Sequence, residues 1–226
     1  MQPYELEKWI WTEKDFDAMG WHDATVYGLQ LEQNLALDID YIFQWNPPEI
    51  EGLPFTFWIA PCTLIFERLT DLSFELTGTF NATYLEIADI ERVTTGQTTR
   101  WTIDTHQGAI MFNADSFKQI VRRQPCFQFG QTIPYDERGG FSFDTTPGDQ
   151  IASELKPHIE KRNAEDWEHY EMAKKRHVLR KELETLSAER ESGEIQTNDY
   201  LVQKKELKEK LDSLSFYLKS TRFEGW

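Results

Sequence analysis

Apolar residues recur at every second position between residues 35 and 45, with Asp38 and Asp40 on the positions between them. A period of two predicts a β-strand with one buried face. The segment 24–32 before it is rich in apolar and β-favouring residues. A polar turn at Gln33 predicts that the two strands pair as an antiparallel hairpin. The alternating apolar residues are Leu35, Leu37, Ile39, Tyr41, Phe43 and Trp45.

Further short strands are predicted throughout the first 146 residues, separated by turn sequences rich in Gly, Pro, Asn and Thr. Residues 55–69 are apolar on both alternations, which is typical of a strand buried on both faces. Residues 115–123 fit either a short helix or a strand. Thr12 predicts the cap of a short helix that ends at Gly20. The remaining predicted strands are 72–77, 84–93, 99–104, 108–112, 126–133 and 141–144.

The pattern changes at Pro147-Gly148, where Glu, Lys, Arg and Leu replace the β-favouring residues. Helices are predicted at 149–155, 157–191 and 197–219, with a break at Ser192-Gly193-Glu194 that folds the last two into an antiparallel hairpin. Each long helix carries a narrow apolar stripe, and these stripes are the candidate oligomerisation residues. They are Leu179, Leu183 and Leu186 on the first helix, and Tyr200, Leu207, Leu211, Leu214 and Leu218 on the second.

These elements predict an α+β protein with two domains. Residues 1–146 form an antiparallel β-sandwich or partial barrel, because no crossover helix for a parallel sheet precedes residue 148. Residues 147–226 form a helical hairpin that resembles a coiled coil. The first helix is the longer by about ten residues. Part of it must therefore contact the β domain, a second copy of the chain or water.

Almost all of the net negative charge of the chain lies in the predicted β domain. Residues 1–146 contain 9 basic and 22 acidic residues, a net charge of −13, whereas residues 147–226 contain 15 and 17. An acidic body repels phosphate backbones, which argues against nucleic acid as a partner. It favours a cationic protein partner, or it serves solubility alone.

The two cysteines and the lengths of the apolar runs indicate the cellular compartment of the protein. Cys62 and Cys126 lie far apart in apolar surroundings, which indicates free, buried thiols. We find no secretory signal at the start of the sequence and no apolar run of about 18 residues that would span a membrane. These observations predict a cytoplasmic protein without membrane attachment.

One cluster of residues could carry chemistry. His22 and Asp23 stand at the start of the first strand of the hairpin, and Asp38 and Asp40 share one face of the second. If the hairpin pairs tightly, these side chains could hold a divalent cation, act as an acid/base pair, or bind a protein partner. The plainer interpretation is that Asp38 and Asp40 lie on a solvated face while His22 or Asp23 bonds turn backbone.

Other charged motifs give weaker signals. Asp166 and His169 have the spacing of one fragment of a di-iron site, but the second copy that such a site needs is missing. The basic residues around Lys174 spread around the helix, where neighbouring glutamates can pair with them. No nucleophile elbow, phosphate loop or cofactor motif is present. We therefore expect no metal, no cofactor and no catalytic residue.

Two short resemblances follow from these residues. The segment Trp21-His22-Asp23-Ala24-Thr25-Val26 before a hairpin is similar to the start of several small bacterial β-sheet families, some of which are immunity proteins of polymorphic toxin systems. The spacing of Gly193, Ile195, Tyr200, Lys204 and Leu207 resembles the short C-terminal helical hairpin known as SHOCT, although Gln196 replaces its usual Thr or Ser. That family implies an interaction or oligomerisation module.

The sequence thus favours a non-enzymatic binding protein of immunity type, which neutralises or scaffolds a protein partner through its acidic domain and forms homo-oligomers through its hairpin. His22, Asp23, Asp38 and Asp40 are the candidate partner-binding residues. Two alternatives stay open at this point: a metal-dependent enzyme built on those four residues, and a purely structural oligomer.

Overall fold

The computed structural model describes residues 4–77, 84–149, 151 and 154–226. Its backbone contacts divide the chain into two compact units. The first comprises Met1–Asn46 and Phe55–Leu155, and the second comprises Pro47–Pro54 and Lys156–Trp226. The loop 47–54 therefore belongs with the C-terminal helices, although it connects two strands of the first unit.

The first unit is built on one antiparallel sheet of ten strands that does not close into a barrel, and with the two long helices of the second unit this confirms the α+β class. The hydrogen-bonded order is β1-β9-β4-β3-β2-β6-β7-β8-β5, and β10 also pairs with β4. The strands are β1 Ile10–Thr12, β2 Ala24–Leu31, β3 Leu35–Asn46, β4 Thr56–Glu67, β5 Thr70–Leu76, β6 Leu85–Thr95, β7 Thr98–Thr105, β8 Gly108–Asn113, β9 Ser116–Val121 and β10 Cys126–Gln128.

The predicted hairpin is present as β2 and β3, with Leu31 opposite Leu35. Its alternation holds as far as Tyr41, and the apolar residues at positions 35, 37, 39 and 41 are all buried. A register shift between Ile42 and Gln44 in the pairing of β3 with β4 then breaks the period, and Trp45 is 38% exposed. A bulge turns the residues beyond it away from the face that the pattern assigns to them.

The core is aromatic and is enclosed by the curl of the sheet. Phe66 on β4 packs against Trp101 on β7 and Phe112 on β8, with ring centroids 5.0 and 4.8 Å apart. Three strands lie between β4 and β7 in the ladder, so these rings meet only because the sheet bends around them. Offset and edge-on ring contacts of this kind add to the burial of apolar area.

Several predicted elements of the first unit change. Residues 115–123, which fit either a helix or a strand by sequence, contain β9. Thr12 is the N-cap residue of a 3-10 helix at Glu13–Ala18, and its backbone N–H donates to the Asp15 carboxylate at 2.9 Å. The predicted strand 126–133 ends already at Gln128, and no strand forms at 141–144. Between these two segments lies a short helical turn, α1, Tyr135–Arg138. The predicted helix 149–155 lies partly outside the described residues.

The second unit is the predicted helical hairpin. Its helices are α2, Lys156–Ser192, and α3, Thr197–Tyr217. Gly193 ends α2 with a φ of 80°, and the N–H of Glu194 donates to the carbonyl of Glu189 at 2.9 Å, which is the Schellman ending that glycine favours. None of the described helices combines the length and apolar character needed to cross a membrane.

The end of the chain folds back on α2. Phe223 is fully buried, and its ring lies near those of Tyr170 and Trp226. Arg176 is 2% exposed and donates to the backbone oxygens of Phe223, Glu224 and Trp226 at 2.7 to 2.9 Å. This guanidinium therefore acts as the polar centre of an aromatic cluster.

Candidate functional site

His22 and Asp23 form the turn that leads into β2. Asp23 has a φ of 62°, in the left-handed region that aspartate tolerates better than most residues. Its backbone N–H donates to the carbonyl of Ile87 at 2.8 Å, and His22 Nδ1 donates to the carbonyl of Ala88 at 3.1 Å. Strand β6 thus holds both residues in place through backbone bonds.

Glu86 and His106 complete a four-residue group with them, which we call the histidine–carboxylate cluster. His106 Nε2 lies 3.3 Å from Glu86 Oε1 and 3.9 Å from Asp23 Oδ1. His22 Nε2 lies 3.4 Å from the same Asp23 oxygen. One ligand atom each from Asp23, Glu86 and His106 falls within 4.8 Å of the other two. The cluster can therefore bind a proton or a cation.

Gln131 orients the central carboxylate of this cluster. Its Nε2 donates to Asp23 Oδ2 at 2.6 Å, which leaves Oδ1 to face the two imidazoles. The Asp23 side chain is 13% exposed, whereas those of His22 and His106 are 65% and 52% exposed. The central carboxylate of the cluster is thus shielded from solvent, whereas its two imidazoles are open to it.

Glu86 and His106 do not stand out in the sequence. Glu86 lies opposite Thr25 because β2 pairs with β6, some 60 residues along the chain, and His106 reaches Glu86 from the turn between β7 and β8. That turn is recognisable from its sequence. The pairing of β2 with β6 is a long-range choice, so no local signal identifies either residue as a neighbour of Asp23.

Asp38 and Asp40 lie elsewhere, and the expectation that they occupy a solvated face is wrong. Both are 0% exposed. The guanidinium of Arg138 binds both carboxylates, with Nε 2.9 Å from Asp40 Oδ1, and Arg122 binds Asp38 as well. Two carboxylates can be buried here because cations from outside the hairpin compensate them.

Both carboxylates of this buried ion-pair network are hydrogen-bonded and shielded from solvent, whereas Arg122 Nε has no hydrogen-bond partner among the described residues. Asp40 also accepts from the Tyr27 hydroxyl and the Ile133 N–H, both at 2.9 Å, and Asp38 accepts from the Ser142 N–H at 3.0 Å. Burial would lower the pKa of Arg138, but its bonds to Asp38 and the charge of Asp40 outweigh it and raise that pKa. The network fastens residues 133–142 to β3, and neither aspartate can contact a partner in this structure.

The candidate oligomerisation residues line the α2–α3 hairpin. Leu186 and Leu218 are buried, and the others are only half-buried. A groove of about 850 Å³ runs beside them, lined by Ile50, Val178, Leu179 and Leu214 and by lysines and glutamates of both helices. The loop 47–54 borders this groove, and Glu49 pairs with Lys174 at 2.7 Å.

A second surface feature lies on the outer side of β5–β8. Register places Glu75, Asp104 and Asp89 in one row, because Ala109 is opposite both Glu75 and Asp104, and Asp104 is opposite Asp89. Glu91 lies on the same side, two residues from Asp89. We call these four residues the acidic face. Among the described residues, none of the four takes part in an ion pair.

The chain matches no protein-family model and no curated protein. Among solved structures it is similar to an uncharacterised protein from Neisseria gonorrhoeae, with 12% identity over 48% of this chain and 93% of that one. The TM-score of 0.27 is too low for this likeness to bear on fold or function.

Proposed function

We propose that this is a non-enzymatic binding protein whose acidic face binds a basic protein partner, as an immunity-type inhibitor or scaffold does. The observation that carries the proposal is the row of carboxylates on β5–β8 that form no ion pair with any described residue. Asp89 and Asp104 are directly opposite each other, an arrangement that costs stability because like charges face across the strands. A cationic partner would remove that cost.

The charge balance of the whole domain supports this proposal. All charged residues among the first 146 are described, and the buried ones balance: three arginines against three carboxylates. Nineteen acidic and six basic residues therefore remain outside the core. The residues that are not buried carry the whole net charge of −13. Such a surface steers a cationic protein toward it and repels nucleic acid. The free thiols Cys62 and Cys126 fit a cytoplasmic location.

The test is co-purification from the native host, with mass spectrometry as the readout. The variant carries Glu75→Gln, Asp89→Asn, Glu91→Gln and Asp104→Asn. A control variant makes the same charge change at exposed positions elsewhere, with Glu5→Gln, Glu7→Gln, Asp17→Asn and Glu32→Gln. We expect wild type and control to recover the same basic protein, and the acidic-face variant to lose it.

Stability separates this result from misfolding. Because the substitutions relieve repulsion between carboxylates, we expect the acidic-face variant to unfold at a slightly higher urea concentration. Its free energy of unfolding should rise by about 0.2–1 kcal/mol. Binding of the recovered protein should also weaken as salt is added. Recovery of the partner by both variants alike, or enrichment of no basic protein, would rule the acidic face out.

The second part of the proposal is self-association through the α2–α3 hairpin. Apart from Leu186 and Leu218, the stripe residues are only half-buried in the two-helix hairpin. The groove beside them is lined by lysines and glutamates that could pair with a second copy of the chain. Val178 is 40% exposed and lines the groove, whereas Val202 on α3 is 58% exposed and lies outside its lining. Light scattering should give twice the chain mass for wild type and Val202→Glu, and the chain mass for Val178→Glu. A monomeric wild type would exclude this part.

A further inference from the structure

Two distances within the histidine–carboxylate cluster are close to those between the ligands of a small metal ion, and the ligand atoms of Asp23 and Glu86 lie within 4.8 Å of each other. Zinc lies about 2.0–2.1 Å from histidine nitrogen and carboxylate oxygen in tetrahedral sites, which sets neighbouring ligand atoms roughly 3.3–3.4 Å apart. His106 Nε2 and Glu86 Oε1 are 3.3 Å apart, and His106 Nε2 and Asp23 Oδ1 are 3.9 Å apart. A side-chain movement of about half an ångström brings the second pair to that spacing.

The hydrogen bond of His22 strengthens this argument. Its Nδ1 faces the carbonyl of Ala88, which can only accept, so Nδ1 carries a proton. In the neutral ring Nε2 then presents a lone pair to Asp23 Oδ1, 3.4 Å away. A metal ion beside these two atoms would be attracted by both of them.

The outer contacts of the cluster are those that metal ligands usually have. Ligating histidines commonly donate their second ring nitrogen to a backbone carbonyl, and ligating carboxylates are themselves hydrogen-bonded. Among the proposed ligands, Asp23 has the second of these contacts through Gln131, and His22, which lies beside the site, has the first. The ligand types also select the ion, because imidazole nitrogen favours zinc and its neighbours, whereas calcium prefers an all-oxygen site.

We propose that Asp23, Glu86 and His106 bind a divalent ion of the zinc type, with His22 beside the open side of the site. This replaces the sequence-based expectation of no metal, and it is independent of the acidic face. The ion would join the start of β2, strand β6 and the β7–β8 turn, which come from three separate parts of the chain. Because it binds only the folded state, it would also stabilise the first unit.

Calorimetric titration with zinc alone, after the full-length protein has been stripped with a chelator, tests the site. We expect one zinc ion per chain, and visible absorption typical of tetrahedral coordination when cobalt replaces zinc. Asp23→Asn keeps a side chain that tolerates the left-handed backbone, and Glu86→Gln keeps the volume. These variants and His106→Ala should bind zinc more than about 100-fold more weakly, and Gln131→Ala about 10- to 100-fold more weakly.

His158→Ala is the matched control, since His158 is an exposed histidine of α2. It should retain wild-type affinity, and zinc should raise the melting temperature of wild type and of this control but not of Asp23→Asn. Equal zinc affinity in Asp23→Asn, His106→Ala and His158→Ala would show diffuse binding to the acidic surface and overturn the proposal. Absence of zinc binding by wild type would overturn it as well.

Discussion

Arg138 and Asp38 come from segments 100 residues apart and meet in the core, where the guanidinium donates through both terminal nitrogens to the carboxylate. The same guanidinium reaches Asp40 through Nε at 2.9 Å. One arginine therefore compensates two carboxylates of the central hairpin, and it also ties α1 to strand β3.

Loss of this arginine should be costly. We expect Arg138→Met to destabilise the protein by about 3–5 kcal/mol, because two buried carboxylates lose their main counter-charge. Urea unfolding followed by tryptophan fluorescence at neutral pH measures this effect. The control is Arg68→Met, which removes a 72% exposed partner of Asp115 and should cost at most about 1 kcal/mol. Similar losses in the two variants would mean that the buried network contributes little.

Alkaline pH should weaken the fold through Tyr41. Burial raises the pKa of Tyr41 to about 12, against an ordinary value of about 10. The unfolded chain therefore releases this proton first, so the stability is fully present below about pH 10 and is lost between about pH 10 and 12. The loss can reach about 1.4 kcal/mol per pH unit.

Tyr41→Phe tests that origin. This variant should lose stability less steeply over the same pH window, as measured by urea unfolding at fixed pH values. Tyr135→Phe, at a 52% exposed position, should follow wild type. If the free energy of unfolding of Tyr41→Phe falls with pH as steeply as that of wild type, groups other than Tyr41 cause the loss of stability at alkaline pH.

The two cysteines should differ in reactivity. Both are free, but Cys62 is fully buried, and this burial raises the pKa of its thiol, whereas Cys126 is half-buried. Since the thiolate is the reactive form, an aromatic disulfide reagent should label one thiol per native chain and two per chain in urea. Cys126→Ala should show no rapid labelling until it unfolds. Fast labelling of that variant under native conditions would contradict the burial of Cys62.

The aromatic cluster of the second unit should stabilise the hairpin. Phe223→Ala removes a fully buried ring and should cost about 3–5 kcal/mol, measured as loss of helical circular dichroism during urea unfolding. Phe216 offers a matched control because it is 81% exposed, and Phe216→Ala should change stability by about 0.5 kcal/mol or less. An equal effect of both substitutions would show that the end of the chain does not pack as described.

Local pattern determined most of the strands and both long helices of this protein. The alternation from Leu35 to Tyr41 was sufficient to predict β3, and the break at Gly193 was sufficient to predict the hairpin, because side-chain period and glycine conformation are properties of a few neighbouring residues. The class, an antiparallel sheet followed by two long helices, followed from the same patterns.

Tertiary structure alone decided which residues meet. Asp38 and Asp40 have the pattern of a solvated face, yet Arg122 and Arg138 cover them, since a polar alternation does not show whether water or a cation lies opposite. Glu86 and His106 join Asp23 only through the pairing of β2 with β6 and the β7–β8 turn. Strand pairing between distant segments depends on the packing of the whole sheet, which no local run of residues encodes.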